Sequence, residues 1–218
     1  MSIFKDIEKN IQKNGNLSSN FQIEKYKHTK NKQIIFADGM EDFLIESKID
    51  IKLLEFLKGL INTLQEDTLG FNANIVDNYF YNHTDTRVLG SIDMFLNWIR
   101  ENRNKYDAQL IYRFGIYLTF GGHEVETVKL GIALLTLFNY ESTERVIEDL
   151  EKLSLCEEFT MYTNVVFYNV STGNDIRFRL VKKLKGYMKR HNITAEQLFG
   201  LKEVSAPKAA GAKFDVKA

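Results

Sequence analysis

Proline is almost missing from this chain. Of 218 residues only Pro207 is proline, and it lies near the C-terminus. Because proline interrupts helix interiors, its absence from residues 1–206 permits long helical stretches and argues against a loop-rich β fold. Cysteine is equally scarce: Cys156 stands alone, which excludes an internal disulfide. No window approaches the ~18 apolar residues of a membrane span. The start, Met1-Ser2-Ile3-Phe4-Lys5-Asp6, lacks the basic, apolar, small-residue plan of a signal peptide. The expectation is a soluble, cytoplasmic protein with a reduced thiol.

Recognisable chemistry is sparse as well. The four histidines, His28, His83, His123 and His191, show no ligand spacing, so no metal is expected. Gly121-Gly122 matches neither a P-loop nor a dinucleotide fingerprint, so no cofactor is expected. A hydrolase would have to use His123 with Glu124 or Glu126, and a nucleophilic Cys156 would need a histidine brought to it by the fold. Cys156 reads more simply as a core thiol, and Trp98, spaced with Phe95, as core. No catalytic residue is assigned.

What the chain has is apolar periodicity. Hydrophobic residues make up 44%, with 16 Phe and 10 Tyr, enough for a proper core. Ile3, Phe4, Ile7 and Ile11 predict a short helix over 2–12. Residues 33–37 are the best strand candidate, with 21–27 as the only nearby partner for a small N-terminal β-hairpin. From about residue 48 helical stripes dominate. One runs from Ile51 to Leu64, with Leu69-Gly70 expected to break it; another runs from Val88 to Ile99. Asp107 is placed to cap a helix that Gly121-Gly122 ends through a positive φ. Helices follow over 123–138, from Ser142, over 155–168, and over about 17 residues from Ile176 to Met188. Thr194-Ala195-Glu196-Gln197 is a capping box opening a short last helix. The fold class is therefore all-α, in stacked antiparallel helical hairpins. One helical domain is expected over 1–201, less regular over 1–47, with a flexible Ala/Lys/Gly-rich tail over 202–218.

The run Val128-Lys129-Leu130-Gly131-Ile132-Ala133-Leu134-Leu135, with Glu126 before it, resembles the second helix of a HEAT-type repeat. In that family an acidic residue precedes Val-Arg and then small and apolar residues at fixed steps. Gly131 and Ala133 would let helices approach closely. The resemblance takes in 107–138 and its successor at 142–168, and extends to uncharacterised bacterial proteins of this helical kind. It implies an interaction scaffold, since repeat proteins present extended surfaces, and no catalytic residues. The spacing from Asp107 to Ser142, about 35 residues, is shorter than the ~40–47 of that family. A fainter likeness runs from Leu184 to Leu201, which is similar to the segment preceding the DNA-binding module of H-NS-type nucleoid proteins.

The formal charge of zero hides three blocks: residues 1–32 carry +4, 33–174 carry −11 and 175–218 carry +7. Charge blocks speak about partners rather than fold. Glu141, Glu144, Glu148, Asp149 and Glu151, followed by Glu157 and Glu158, form an acidic surface for another, basic, protein. The expected function is a non-catalytic interaction scaffold or an immunity-type or regulatory binder. Arg177, Arg179, Lys182, Lys183, Lys185, Lys189 and Arg190, with Phe178 and Tyr187 interleaved, offer the alternative: nucleic-acid binding through residues 175–218. Both clusters also read as solvated helix faces that neutralise each other. Glu148 and Lys152 are spaced i,i+4 for a surface pair.

Overall fold

A computed structural model describes residues 1–23, 49–139, 144–191 and 194–199. They are helical and contain no strand; the nearest feature is an isolated antiparallel bridge between Ile11 and Leu17. The predicted strand at 33–37 and the tail at 202–218 lie outside the described residues. The helices are α1 (Ile3–Lys9), α2 (Ile51–Asn62), α3 (Leu69–Asn82), α4 (Leu89–Glu101), α5 (Ala108–Gly121), α6 (Val125–Leu135), α7 (Glu144–Leu153), α8 (Glu157–Phe167), α9 (Gly173–Lys183), α10 (Lys185–His191) and α11 (Ala195–Phe199). Among the described residues no helix is long and apolar enough to cross a membrane.

Side chains set several of the starts. Ser2, Asp50 and Asp107 accept backbone N–H groups from the first turns of α1, α2 and α5, as N-caps do. The capping box forms in both directions. Gln197 N–H donates to Thr194 Oγ1 at 3.1 Å, and Thr194 N–H donates to Gln197 Oε1 at 2.9 Å.

Three expectations need correction. Leu69-Gly70 does not break the chain; a 3-10 turn at Glu66–Thr68 makes the bend, and Leu69 begins α3. The stripe from Ile176 to Met188 is two helices, divided at Leu184. Gly122 has φ −61°, an ordinary extended conformation, so it supplies no positive φ. Its need is steric: a Cβ there would sit 2.6 Å from the Leu118 carbonyl oxygen.

The core is organised around α6, and all eleven of its residues are buried. It packs most closely against α5 and also meets α3, α4 and α8. Gly131 makes the α5–α6 approach, since a Cβ there would lie 2.5 Å from Thr119 N. Gly115 faces Leu134 and Leu135 from the other helix, so the pair is antiparallel. An inner repeat helix in an open array keeps contacts only with adjacent units; α6 is covered by helices that precede it and one that follows it. The N-terminus joins this centre, with Ile3 N–H donating to the Gly122 carbonyl at 3.0 Å.

Candidate functional site

Full burial of α6 places two ionisable residues inside the protein. Lys129, 1% exposed, lies 3.2 Å from Glu126 and 2.6 Å from Glu158 of α8, and its Nζ is 5.3 Å from the Tyr162 ring centre. Glu126 Oε2 also accepts the backbone N–H of Val88 at 2.8 Å, just before α4. Buried charges persist only when paired and hydrogen-bonded. This triad therefore ties α4, α6 and α8 together. Glu126 and Glu158, counted in sequence as a hydrolase candidate and as part of an acidic surface, sit in the interior.

A second polar group forms where α6 begins. The Asp77 carboxylate of α3 accepts the backbone N–H groups of His123 and Glu124 at 3.0–3.1 Å and meets His123 Nδ1 at 3.1 Å. Asp77 thus caps α6 from a different helix, where negative charge favours the helix dipole. A cleft of about 380 Å³ opens here, lined by Asn74, Asp77, Asn78, Tyr81, His123 and Glu124. A carboxylate holding Nδ1 orients an imidazole as in acid–base catalysis. The lining offers no serine, threonine or cysteine nucleophile, and among the described residues no group of three His, Cys, Asp or Glu is arranged to hold a metal. Sequence missed Asp77 because it lies 46 residues from His123.

The outer face of α3 beside this cleft is aromatic. Phe71 is 67% exposed and Tyr81 69%; they share a face with Asn74 and Asn78, at spacings of three and four residues. Tyr117 of α5, 48% exposed, lies over Gly70. Arg113 of α5 pairs with Glu66 just ahead of α3. The pairs 66/113 and 77/124 have the same 47-residue separation, so α3 and α5 run in parallel register.

The sequence-predicted clusters meet each other in part. Glu151 of α7 receives Arg179 at 2.6 Å and Lys183 at 3.8 Å. Asp149 receives Lys152, which also reaches Glu8 of α1; both distances are 2.8 Å. Lys152 therefore pairs with Asp149 and Glu8 rather than with Glu148. Hydrogen bonds that Lys152 donates to Asp149 and then to Glu8 raise its pKa above the ordinary 10.5, against the effect of burial. The Glu151 hydrogen bond likewise raises Arg179. Glu148 stays exposed, in a charge-balanced cleft of about 510 Å³ with Lys5, Glu8 and Arg145. Glu141 lies outside the described residues, and the side chains of Glu144, Arg190 and Tyr187 are not described.

Arg177 is not on the surface. It is buried, 3.9 Å above the Tyr168 ring and hydrogen-bonded to Asn174, with Nε and Nη1 lacking a partner. Lys182, Lys185 and Lys189 remain exposed. Cys156 is a buried thiol, and Trp98 is half-buried between Phe95 and Tyr106.

The described residues define an all-α protein whose helices enclose a charged core triad. A comparison with protein-family models finds no match, and comparisons with curated proteins and with solved structures find none either.

Proposed function

We propose that this chain is a non-catalytic helical scaffold that binds a basic protein through the outer face of α3 and α5. The observation that carries the reading is the exposed set Phe71, Tyr81 and Tyr117, interleaved with Asn74 and Asn78. Large exposed aromatics gathered on one face mark interaction sites, and aromatic residues anchor interfaces at low conformational cost. Asp67 at one end and Glu124 at the other edge this face with acids, while Glu66 is paired with Arg113 and Asp77 is held by His123. The charge of −11 over residues 33–174 would steer a basic partner towards it. A regulatory or immunity-type role, in which the chain masks a basic surface, fits this chemistry.

The parallel register of α3 and α5 supports HEAT-like stacking in this part of the chain. Glu148 of α7 is the described acid of the other predicted surface that keeps an open carboxylate, and it serves as the comparison. The test is affinity purification from the native host after nuclease treatment, with wild type, Phe71→Ala/Tyr117→Ala and Glu148→Lys. The reading expects one stoichiometric basic protein, lost with the aromatic pair and kept with Glu148→Lys. Retention by the aromatic double variant would move the interface elsewhere.

A further inference from the structure

The fold sorts the cations of the C-terminal block. Arg177 is buried, and Arg179 and Lys183 are paired with Glu151. Lys182, Lys185 and Lys189 are exposed and have no ion-pair partner among the described residues. Together with Phe178, which is 57% exposed, they recur at steps of four, three and four residues. That spacing keeps them on one side of a helix.

Phe178 and Lys182 lie on α9, Lys185 and Lys189 on α10, and the two helices meet at Leu184. Leu184 N–H closes α9 by donating to the Leu180 carbonyl at 2.8 Å, and Met188 N–H opens α10 by donating to the Leu184 carbonyl at 2.9 Å, so no residue separates the two halves of the stripe but Leu184 and its neighbour Lys183. At ~1.5 Å per residue the three lysines span roughly 10 Å. Asp175 is the single acid of α9 and α10. The N-terminal basic block comes to the same helix, since a side chain at Gly15 would begin 3.8 Å from Lys183 Nζ, two residues from exposed Lys13.

We propose that Phe178, Lys182, Lys185 and Lys189 form a docking stripe for single-stranded nucleic acid. Three exposed ammonium groups over ~10 Å run alongside about four phosphates at ~3.4 Å per nucleotide of a stacked strand, enough for each lysine to meet one. Phe178, one turn before Lys182, offers a face on which a base can stack. An anionic membrane fits less well. Ile176, Leu180 and Leu184, the apolar side of these helices, are buried in the core, so the helix cannot lay an apolar face into lipid. This stripe shares no residue with the α3–α5 face, so either proposal can fail alone.

The test is fluorescence anisotropy of the full chain with a short single-stranded oligonucleotide across a salt series. The expected log–log salt slope is about −2, or ~0.7 per phosphate contacted. Lys182→Gln/Lys185→Gln/Lys189→Gln should abolish most binding, and Phe178→Ala should weaken it about tenfold without changing the slope. Arg179→Gln, which removes a cation already paired, should change the slope least. These positions are exposed, and circular dichroism checks that each variant is folded. The proposal is overturned by absence of binding at low salt, or by binding that survives the triple substitution. Equal affinity for duplex, or binding of phosphatidylserine vesicles but not the oligonucleotide, overturns it too.

Discussion

Lys129 on α6 and Glu158 on α8 form an ion pair of 2.6 Å with both side chains almost wholly buried. The same ammonium group holds Glu126, whose other carboxylate oxygen receives the Val88 amide. Two carboxylates and one cation thus fix three helices at the centre of the protein. Such a cluster is costly to break, because each partner left behind is a buried charge without compensation.

Lys129→Met should therefore destabilise the protein by ~3–5 kcal/mol. Adding Glu126→Gln and Glu158→Gln to it should recover a large part, since the stranded charges go. Urea unfolding of the single and triple variants checks this. A single variant within ~0.5 kcal/mol of wild type would show that the triad does not hold the core.

Glycines on two helices should respond in opposite directions. Gly131→Ala drives a Cβ to 2.5 Å from Thr119 N, a backbone atom with little room to move, and overpacking of this kind costs ~1–3 kcal/mol. Gly59→Ala, inside α2 with nothing within 4 Å, should stabilise by up to ~1 kcal/mol through helix propensity. Thermal unfolding midpoints of the two variants should move apart.

Removal of the Asp77 carboxylate frees the two amides that lead into α6, His123 and the N-cap Glu124. Asp77→Ala should cost ~1–2 kcal/mol, within the range for lost N-caps, and Asp77→Asn should cost less because one acceptor oxygen remains. Hydrogen exchange should show the loss first at the His123 and Glu124 amides, the groups that Asp77 binds. Unchanged exchange there would contradict the capping role.

Stability should fall on the alkaline side. Burial, and then the charge of Asp50, raise the Tyr79 pKa above its ordinary 10.0. Hydrogen bonds to Asp149 and Glu8 raise Lys152 above 10.5. A group whose folded pKa is raised contributes stability that is complete below its unfolded value and is lost as pH rises through the folded value. The window thus opens near pH 10 for Tyr79 and slightly higher for Lys152. Lys152 is more than a third exposed, so solvent screening keeps its share below ~1 kcal/mol. Urea midpoints measured on either side of pH 10 should show a shallower alkaline fall for Tyr79→Phe than for wild type.

Periodicity made most of the helices legible, because an apolar stripe has few ways to be buried. Ile51 to Leu64, Val88 to Ile99 and the capping box at Thr194 correspond to helices in the structure, and Gly131 makes the close approach expected of it. The break at Leu184 left no trace, since its leucine continues the stripe. The charged groups were harder to place. Glu126, Lys129 and Glu158 look like surface residues in a linear chain and become interior ones because neighbours cover α6 on every side. Asp77 and His123 meet through the α3–α5 alignment, which no local spacing encodes. Nothing in the local sequence marks Phe71, Tyr81 and Tyr117 as exposed; the packing of α3 and α5 decides it.

The claim that most needs a direct answer is that the α3–α5 face holds a protein partner. A photo-crosslinking amino acid at Phe71, compared with the same group at Glu148 in separate cultures of the native host, addresses it without disturbing the core. The account predicts one discrete covalent adduct with a basic protein from position 71 and none from position 148. Adducts from position 148 alone, or none from either, would contradict it.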